Sequence, residues 1–506
     1  MTTFRQYAAI TSAAAVLLLA GCRVGPKYHA PPAIAQAPPA TYKESPTQFP
    51  GSDDWKVAQP QDAMLHGKWW EIYNDPELNA LEDKLNIDNQ NIKQFFENFM
   101  EARTLIAQAR SQLYPTVGTS PAYTRSGTSA NLTTATTAGA GVNHTSTLAS
   151  LPFDVSWAPD LWGKVRNTIS EQQYAAQLSA ADLENERLTE QATLAITFFE
   201  IRGQDALQGV LDRTVEADKK SLDLTQSQYD TGIGDRISVV EARNTLQNAQ
   251  AAATNVGLLR AQYEHAIAVL IGTNPSSFSI PVKALDAAPP AIPIGVPTQL
   301  LERRPDIAAA ERNMASANAQ IGIAYAAYYP TLTLSASGGL ESSAWSHLFD
   351  WSSRFWSVGP AVSETIYDGG LRRATVNQFI STYNADVASY RQTVLTAFQQ
   401  VEDSLSSTRI LSHQIQQQQD AEKSAQESLD LEMGRYTTGI DPYIDVVTAQ
   451  TTLLSDQQTL ATLHTQVMTS SVQLIEALGG GWDRSQLPTP ADVSKKLTKD
   501  ETTIQK

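Results

Sequence analysis

Short stretches of alternating polar and apolar residues occur in both halves of the chain and predict β-strands. Residues 151–157 alternate in the first half, and residues 331–336 and 356–362 alternate in the second. Strict alternation gives a strand two faces of different polarity. Pro115 and Pro330 stand just before strand segments and are expected to end the preceding helices. The pattern therefore predicts two strands in each half, four in all.

The apolar pattern becomes helical after each pair of strands. Residues 394–405 carry apolar side chains at spacings of four, three and four, which places them on one face of a helix. Proline is absent from residues 163–229 and again from residues 370–436. The sequence therefore predicts two uninterrupted helices of about 60 residues, each about 90–100 Å long.

The two halves of the chain also resemble each other. Residues 228–240 match residues 435–447 at an offset of 207, with tyrosine, glycine, isoleucine and a pair of valines recurring in step. Gly272 and Gly479 are also separated by 207 residues. These matches predict a tandem duplication of a unit of about 200 residues, with the same elements in the same order.

The N-terminus has the pattern of an exported, lipid-modified protein. Residues 1–21 combine a basic start, a short apolar run and small terminal residues, as a secretory signal peptide does. Cys22, the single cysteine among 506 residues, follows directly, so an internal disulfide or a cysteine-based metal site is excluded. Residues 19–22 resemble a bacterial lipobox, which implies diacylglyceryl and N-acyl groups on Cys22. The alternative is an ordinary signal peptide that happens to carry a cysteine.

Charge and hydropathy narrow the class of protein. The net charge of -16 argues against a nucleic-acid partner. No apolar run of about 18 residues follows the signal peptide, so a membrane crossing would require a closed β-barrel. Four strands cannot close a barrel, eight from two chains would be filled by side chains, and twelve from three chains leave a lumen.

The expected fold is therefore mainly α with a small β part. It combines a long α-helical barrel with a transmembrane β-barrel of four strands per chain, twelve in a trimer, built from two tandem repeats. The alternative is a periplasmic coiled-coil lipoprotein whose short strands only cap it. Four segments are expected: residues 1–21 as signal peptide, 22–297 as anchored segment, first repeat and proline-rich linker, 298–486 as second repeat, and 487–506 as a polar, disordered tail.

Catalytic chemistry finds no support in the sequence. None of the seven histidines has a partner at metal-binding spacing, and no glycine-rich phosphate loop or Gly-x-Ser-x-Gly motif occurs. Residues 302–306 could form an acid–base cluster. A helix start with proline in its first turn and local ion pairs is the favoured interpretation. We expect no enzyme activity, no metal site and no bound cofactor besides the lipid on Cys22.

Several stretches resemble one family closely. Residues 301–311 and 321–330 resemble the signature of TolC-like outer-membrane efflux factors. Residues 22–32 and 69–81 resemble the lipoprotein branch of that family, the OprM/NodT type. The resemblance extends from residue 22 to about residue 482.

This resemblance implies a homotrimer in the outer membrane of a Gram-negative bacterium, lipid-anchored, with its helical barrel in the periplasm. Its partners would be a periplasmic adaptor, or membrane fusion protein, and an inner-membrane transporter of the resistance-nodulation-division type. The implied function is a passive, gated exit duct for drugs or other small toxic molecules. The alternatives are an exit duct for a metal-ion or type I protein exporter and a structural envelope lipoprotein.

The resemblance also implies a gate at the periplasmic tip, where the chain turns near Gly232 and Gly439. These two turns are expected to contact the adaptor. The residues expected to form the gate are Asp445, Tyr436, Arg435, Asp441 and Asp230. Tyr436 matches a tyrosine that helps to hold the tips together, and Asp445 matches an acidic position at the constriction. Thr448 stands where many relatives have a further acid.

Overall fold

The computed structural model describes residues 23–33, 42–44, 67–127, 145–285, 288–292 and 300–496. The predicted signal peptide and Cys22 lie outside the described residues. Helices dominate and strands form a small part, so the predicted fold class is confirmed.

The helices and strands follow one another in two similar series. The helices are α1 (Pro76–Asp88), α2 (Gln90–Ser111), α3 (Lys164–Asp230), α4 (Arg236–Leu270), α5 (Leu300–Arg303), α6 (Pro305–Ala326), α7 (Leu371–Thr437) and α8 (Tyr443–Ala477). The strands are β1 (Thr116–Thr119), β2 (Ala122–Gly127), β3 (Thr145–Trp157), β4 (Thr331–Ser342) and β5 (Arg354–Ser363). Within the described ranges, no helix combines the length and the apolar character that a membrane span requires.

Matching helices in the two series have equal lengths. Helices α3 and α7 each contain 67 residues, α4 and α8 each contain 35, and α2 and α6 each contain 22. At about 1.5 Å per residue, α3 and α7 are about 100 Å long. The equal lengths confirm the predicted duplication.

Both long helices start in the same way. A glycine in the left-handed region precedes each of them, with φ of 78° before α3 and 92° before α7. A nearby aspartate accepts hydrogen bonds from first-turn amides: Asp160 from Arg166 at 3.0 Å and Asp368 from Arg372 at 3.1 Å. Each carboxylate thus satisfies amides that have no partner inside the helix.

The strands form one antiparallel sheet, in which β1 and β2 both pair with β3, β3 pairs with β4, and β4 pairs with β5. Thr119 lies opposite Phe153 and Ala122 lies opposite Ser150, so β1 and β2 share one register. Pro121 between them has no amide hydrogen to donate to the ladder. Within the described residues, the four predicted strand positions are present, and the first of them is divided into two segments, β1 and β2.

The sheet has little cover within the protomer. One edge of the sheet is formed by β1 and β2, which follow one another along β3, and the other edge is formed by β5. Along β5, alternate residues Trp356, Val358 and Val362 are 80%, 72% and 70% exposed. An apolar strand face and two open edges are features that soluble monomers avoid.

The main core lies between the sheet and the helical tips. Trp69 and Leu78 of the N-terminal part pack there with Phe198 of α3 and Val472 of α8, and all four side chains are buried. The core therefore joins the N-terminal segment to helices from both repeats.

The helix start with local ion pairs that was expected at residues 302–306 is present. Pro305 is the first residue of α6. The buried guanidinium of Arg304 donates to Asp306 at 2.7 Å and to the backbone carbonyl of Ala477 at 2.9 Å. Arg304 thus connects the start of the second repeat to the last turn of α8.

The expected disorder after residue 486 does not hold for residues 487–496. Val493 is buried against Ile106 and Ala176, and Arg110 donates to the carbonyl of Ser494 at 2.9 Å. One apolar anchor and satisfied backbone groups order a segment whose composition alone predicted disorder. Residues 497–506 lie outside the described residues.

Candidate functional site at the helical tips

Helices α3 and α4 form one hairpin, and α7 and α8 form a second. Each hairpin has one turn at the end far from the sheet, and the two turns have the same backbone conformation. Gly232 and Gly439 adopt φ of 78° and 76°. The amide of Ile233 donates to Gln228 at 3.0 Å, and that of Ile440 donates to Arg435 at 2.9 Å. This is the hydrogen-bond pattern of a Schellman helix end. A Cβ on either glycine would meet nothing within 4 Å, so backbone conformation rather than space requires glycine here.

The side chains of the two turns differ. Asp235 caps α4 by accepting from the amide and hydroxyl of Ser238 at 2.9 and 2.7 Å, and these bonds lower the pKa of Asp235. The matching residue before α8 is Pro442, whose side chain cannot accept a hydrogen bond from the first-turn amides. Instead, Arg435 pairs with Asp441, and the hydrogen bond to Asp441 raises the pKa of Arg435.

Tyr436 joins the two hairpins. Its hydroxyl donates to Oε1 of Gln228 on α3 at 2.6 Å, and its ring lies edge-on to that of Tyr443 with centroids 5.0 Å apart. Burial raises the pKa of Tyr436 further above its ordinary value of about 10, so the hydroxyl is protonated and can donate at neutral pH. Tyr436 is the residue of the predicted gate with a direct side-chain bond between hairpins.

Asp445 lies in an acidic cluster on the second hairpin. One carboxylate oxygen each from Glu432, Asp441 and Asp445 lie within 4.8 Å of one another. Glu432 and Asp445 also line a groove of about 230 Å³ between α7 and α8. Arg435 supplies one positive charge beside three carboxylates. Sequence reasoning missed Glu432, although its place one turn before Tyr436 on the same helix was a signal.

Asp230 is not brought together with the other predicted gate residues in the described protomer. Its carboxylate accepts from Gln226, one turn earlier on the same helix, at 2.9 Å. Gln228, two residues away, makes the bond across the hairpins instead. Two residues along a helix correspond to a rotation of about 200°, so the two side chains point in opposite directions.

A buried polar seam lies just above the tip, between α3 and α8. Asp218, Ser221 and Gln450 are at most 8% exposed, and Gln450 donates to the Ser221 hydroxyl at 3.2 Å. Oδ2 of Asp218 and Oε1 of Gln450 have no partner among the described protein atoms. Burial raises the pKa of Asp218 to about 6.

Sequence reasoning missed this seam, although the duplication carried a signal. At the repeat offset, Asp218 corresponds to Ala425, which is 7% exposed. A carboxylate that replaces a buried alanine is expected to be buried as well.

The family comparison covers most of both repeats. Residues 83–273 and 296–480 match a family described as outer membrane efflux protein. The chain is 30% identical over 477 residues to the antibiotic efflux pump outer membrane protein ArpC of Pseudomonas putida, covering 94% of this chain and 95% of ArpC. It is 28% identical over 482 residues to outer membrane protein OprJ of Pseudomonas aeruginosa, covering 93% and 95%.

Solved structures share the fold over nearly the whole chain. The outer-membrane channel OprN superposes with a TM-score of 0.81 at 25% identity, covering 91% of this chain and 100% of OprN. The CmeC outer membrane channel of Campylobacter jejuni superposes with a TM-score of 0.80 at 22% identity, covering 95% and 100%.

The tip turns generate a first prediction. Gly439→Ala should weaken the second turn by about 1 kcal/mol, because an L side chain resists positive φ. Amide hydrogen exchange around residues 435–443 should become faster. Gly434→Ala is the matched control, since Gly434 lies in α7 with open space around it, and alanine there should leave exchange unchanged or slow it. Equal effects of the two changes would contradict the role assigned to the Gly439 backbone.

The buried seam generates a second prediction. The folded protein binds the Asp218 proton more tightly than the unfolded chain, so the ionised carboxylate opposes folding above about pH 6, and this penalty fades as the pH falls below 6. Asp218→Asn should therefore raise stability by roughly 1–3 kcal/mol near pH 8 and by less near pH 5.

Thermal denaturation at the two pH values measures this effect. Asp223→Asn, which changes an exposed carboxylate of the same helix, is the control and should give similar small changes at both. A pH-independent effect of Asp218→Asn would contradict the assigned ionisation.

Proposed function

Because the chain belongs to the outer membrane efflux protein family, we propose that it is the passive exit duct of a tripartite pump, carrying antibiotics, solvents or similar small molecules from the periplasm to the exterior. The full-length match to ArpC, an antibiotic efflux component, supports this substrate class. The observation that carries the proposal is the combination of an open-edged sheet at one end and paired hairpin tips at the other. A duct needs both an insertion zone and a closable end.

The exposed sheet supports assembly as a homotrimer. An open edge presents unpaired backbone groups that bind another strand. Three copies, joined edge to edge, would pair every strand and give a closed cylinder of twelve strands with a lumen. Exposed apolar side chains on α4, among them Leu258 at 58% and Val269 at 65%, would be covered by helices of neighbouring copies.

The tips supply a surface for the periplasmic adaptor. Ile233 and Ile440, next to Gly232 and Gly439, are 83% and 68% exposed. Two apolar side chains at matching turns suit the end of an α-helical hairpin of a membrane fusion protein. The sequence carries no nucleotide-binding loop, so the energy for transport would come from an inner-membrane transporter of the resistance-nodulation-division type.

Anchoring by a lipidated Cys22 belongs to the same proposal. Acyl groups on Cys22 would hold the N-terminal segment at the membrane in addition to the inserted sheet, and stable anchoring commonly combines two such signals.

Deletion of the gene and complementation test the function. The deletion strain should lose resistance to antibiotics and organic solvents, and expression of the unchanged chain should restore it. Sensitivity confined to metal salts, or loss of a secreted protein, would favour the metal-ion or type I exporter alternative. If no compound distinguishes the strains and the purified protein does not conduct ions in planar bilayers, the structural lipoprotein alternative holds.

The tip contacts would act as the gate. The bond from Tyr436 to Gln228 holds the two hairpins together, and the ion pair of Arg435 with Asp441 ties the end of α7 to the turn that follows it. In a trimer, the acidic cluster around Asp445 would occur three times about one axis. Carboxylates within a Debye length of about 8 Å repel one another and attract cations, so the closed tip would need these bonds to offset the repulsion.

A third prediction concerns the bond between the hairpins. Tyr436→Phe keeps the ring and removes a hydrogen bond worth about 1 kcal/mol, so single-channel conductance in planar bilayers should rise and cells should become more sensitive to vancomycin. Tyr229→Phe is the control because Tyr229 holds the same position in the first repeat and is 43% exposed. Identical conductance of both variants and the unchanged protein would remove Tyr436 from the gate.

A fourth prediction concerns the acidic cluster. Asp445→Ala removes one negative charge per copy from the aperture, so cation selectivity and block by multivalent cations should fall, with a smaller effect on conductance. Reversal potentials in a salt gradient measure the selectivity. Asp212→Ala makes the same charge change on an exposed part of α3 and should alter selectivity little. If both substitutions act equally, net charge rather than the tip controls selectivity.

A further inference from the structure

A groove far from the tips lies where the helices meet the sheet. It has a volume of about 510 Å³, within the usual range of small-molecule sites. Its lining is largely apolar and aromatic, and includes Val24, Pro26, Ile321, Tyr325, Ile380 and Tyr383. The groove is thus formed by three parts of the chain: the N-terminal segment, α6 and α7.

The N-terminal wall of the groove is fixed in place. Nε of Arg23 donates to Oδ1 of Asn167 at 2.5 Å, and Nδ2 of Asn167 donates to the carbonyl of Val24 at 2.9 Å. Gly25 packs on α6 so closely that a Cβ would come 2.5 Å from the Cα of Gly322. These contacts hold residues 23–26 against α3 and α6, and we call this segment the strap.

The groove lies at the level where a membrane surface would be. Tyr329 lines it and stands two residues before β4. Trp162 stacks on Tyr329 with ring centroids 4.7 Å apart and donates to the carbonyl of Pro330 at 2.7 Å. Tryptophan and tyrosine collect at the headgroup level of membranes. An apolar groove at this level would meet water unless another apolar group covered it.

Cys22 is the residue from which such a group can reach the groove. Neighbouring Cα atoms are separated by about 3.8 Å, so an acyl chain on Cys22 starts one residue from fixed Arg23 and two residues from Val24 in the groove wall. A covalent tether raises the effective concentration of the chain at the groove far above that of free lipid.

We propose that a fatty acyl chain carried by Cys22 binds in this groove, between the strap and the facing side chains of α6 and α7. This inference rests on the lipidation that forms part of the proposed function. The acyl chain covers apolar surface at the headgroup level and fastens the strap to both helices. The lipid is then a structural ligand of the protein as well as a membrane anchor.

Photo-cross-linking in intact outer membranes tests the proposal. The photoreactive amino acid p-benzoylphenylalanine replaces Tyr383 in the full chain, and cells are fed an alkyne-tagged fatty acid. After irradiation, the tag should join the N-terminal peptide to the α7 peptide that contains residue 383. Ala385, two residues further along α7 and exposed, faces away and is the matched control position, where no such joined peptide should form.

Each other outcome overturns the proposal. Tagging of residue 383 that persists in a Cys22→Ser chain, exported by a signal peptide that does not require lipidation, would mean that a membrane phospholipid occupies the groove. Cross-linking between two chains would mean that a neighbouring copy covers it. Absence of the joined peptide in protein that mass spectrometry shows to be acylated would place the chain in the bilayer only.

Mass spectrometry of the N-terminal peptide separates this inference from the proposed duct. An unmodified Cys22 would overturn both the lipid anchor and the groove ligand, while the survival test would still report on efflux. A stability comparison gives a second readout: Ile380→Gln makes the groove polar and should shrink the difference in melting temperature between acylated and Cys22→Ser protein. An unchanged difference would contradict binding in the groove.

Discussion

The equal length of the two long helices is the constraint on which the rest of the structure depends. Helices α3 and α7 each run for 67 residues between glycines of positive φ. One end of each helix meets the same sheet, so equal length brings both turns to the same level. One added residue would shift a tip by about 1.5 Å and rotate it by about 100°. Tyr436 would then no longer face Gln228.

On this duplicated backbone the two repeats have diverged in chemistry. The first tip is self-contained, because Asp235 caps its own helix. The second tip has Pro442 at that position and uses Arg435, Asp441 and Asp445 to form a charged surface. The backbone turns are the same because glycine fixes them, while the side chains that project from them are free to differ. The proposed gate would therefore use mainly side chains of the second repeat, with Gln228 of the first repeat as their partner.

Local signals made much of the fold predictable. Proline-free stretches gave the long helices, alternation gave three strands, and the internal match gave the repeat. Features decided by tertiary partners were harder. Residue 493 looked like part of a polar tail but fills an apolar site, and Pro121 splits a strand without changing its register. At the tip, Tyr436 and Asp445 were placed by resemblance. Whether Gln228 or Asp230 faces the other hairpin depends on the rotation of α3 about its axis, and local sequence patterns do not determine that rotation.

The distribution of polar contacts along the helices indicates where the two hairpins separate most easily. In the middle of the molecule, buried apolar side chains such as Phe198 and Val472 join the repeats, and separating them would expose apolar surface to water. Toward the tip, the apolar contacts shrink to a small cluster around Ala242, Tyr443 and Val446. Just above this cluster, Asp218 and Gln450 keep buried oxygens without partners among the described protein atoms. Opening this seam exposes those oxygens to water, which offsets part of the cost of breaking the contact. Separating the hairpins at the tip therefore exposes less apolar surface than separating the larger core above it, so the proposed gate would not require the protein to unfold.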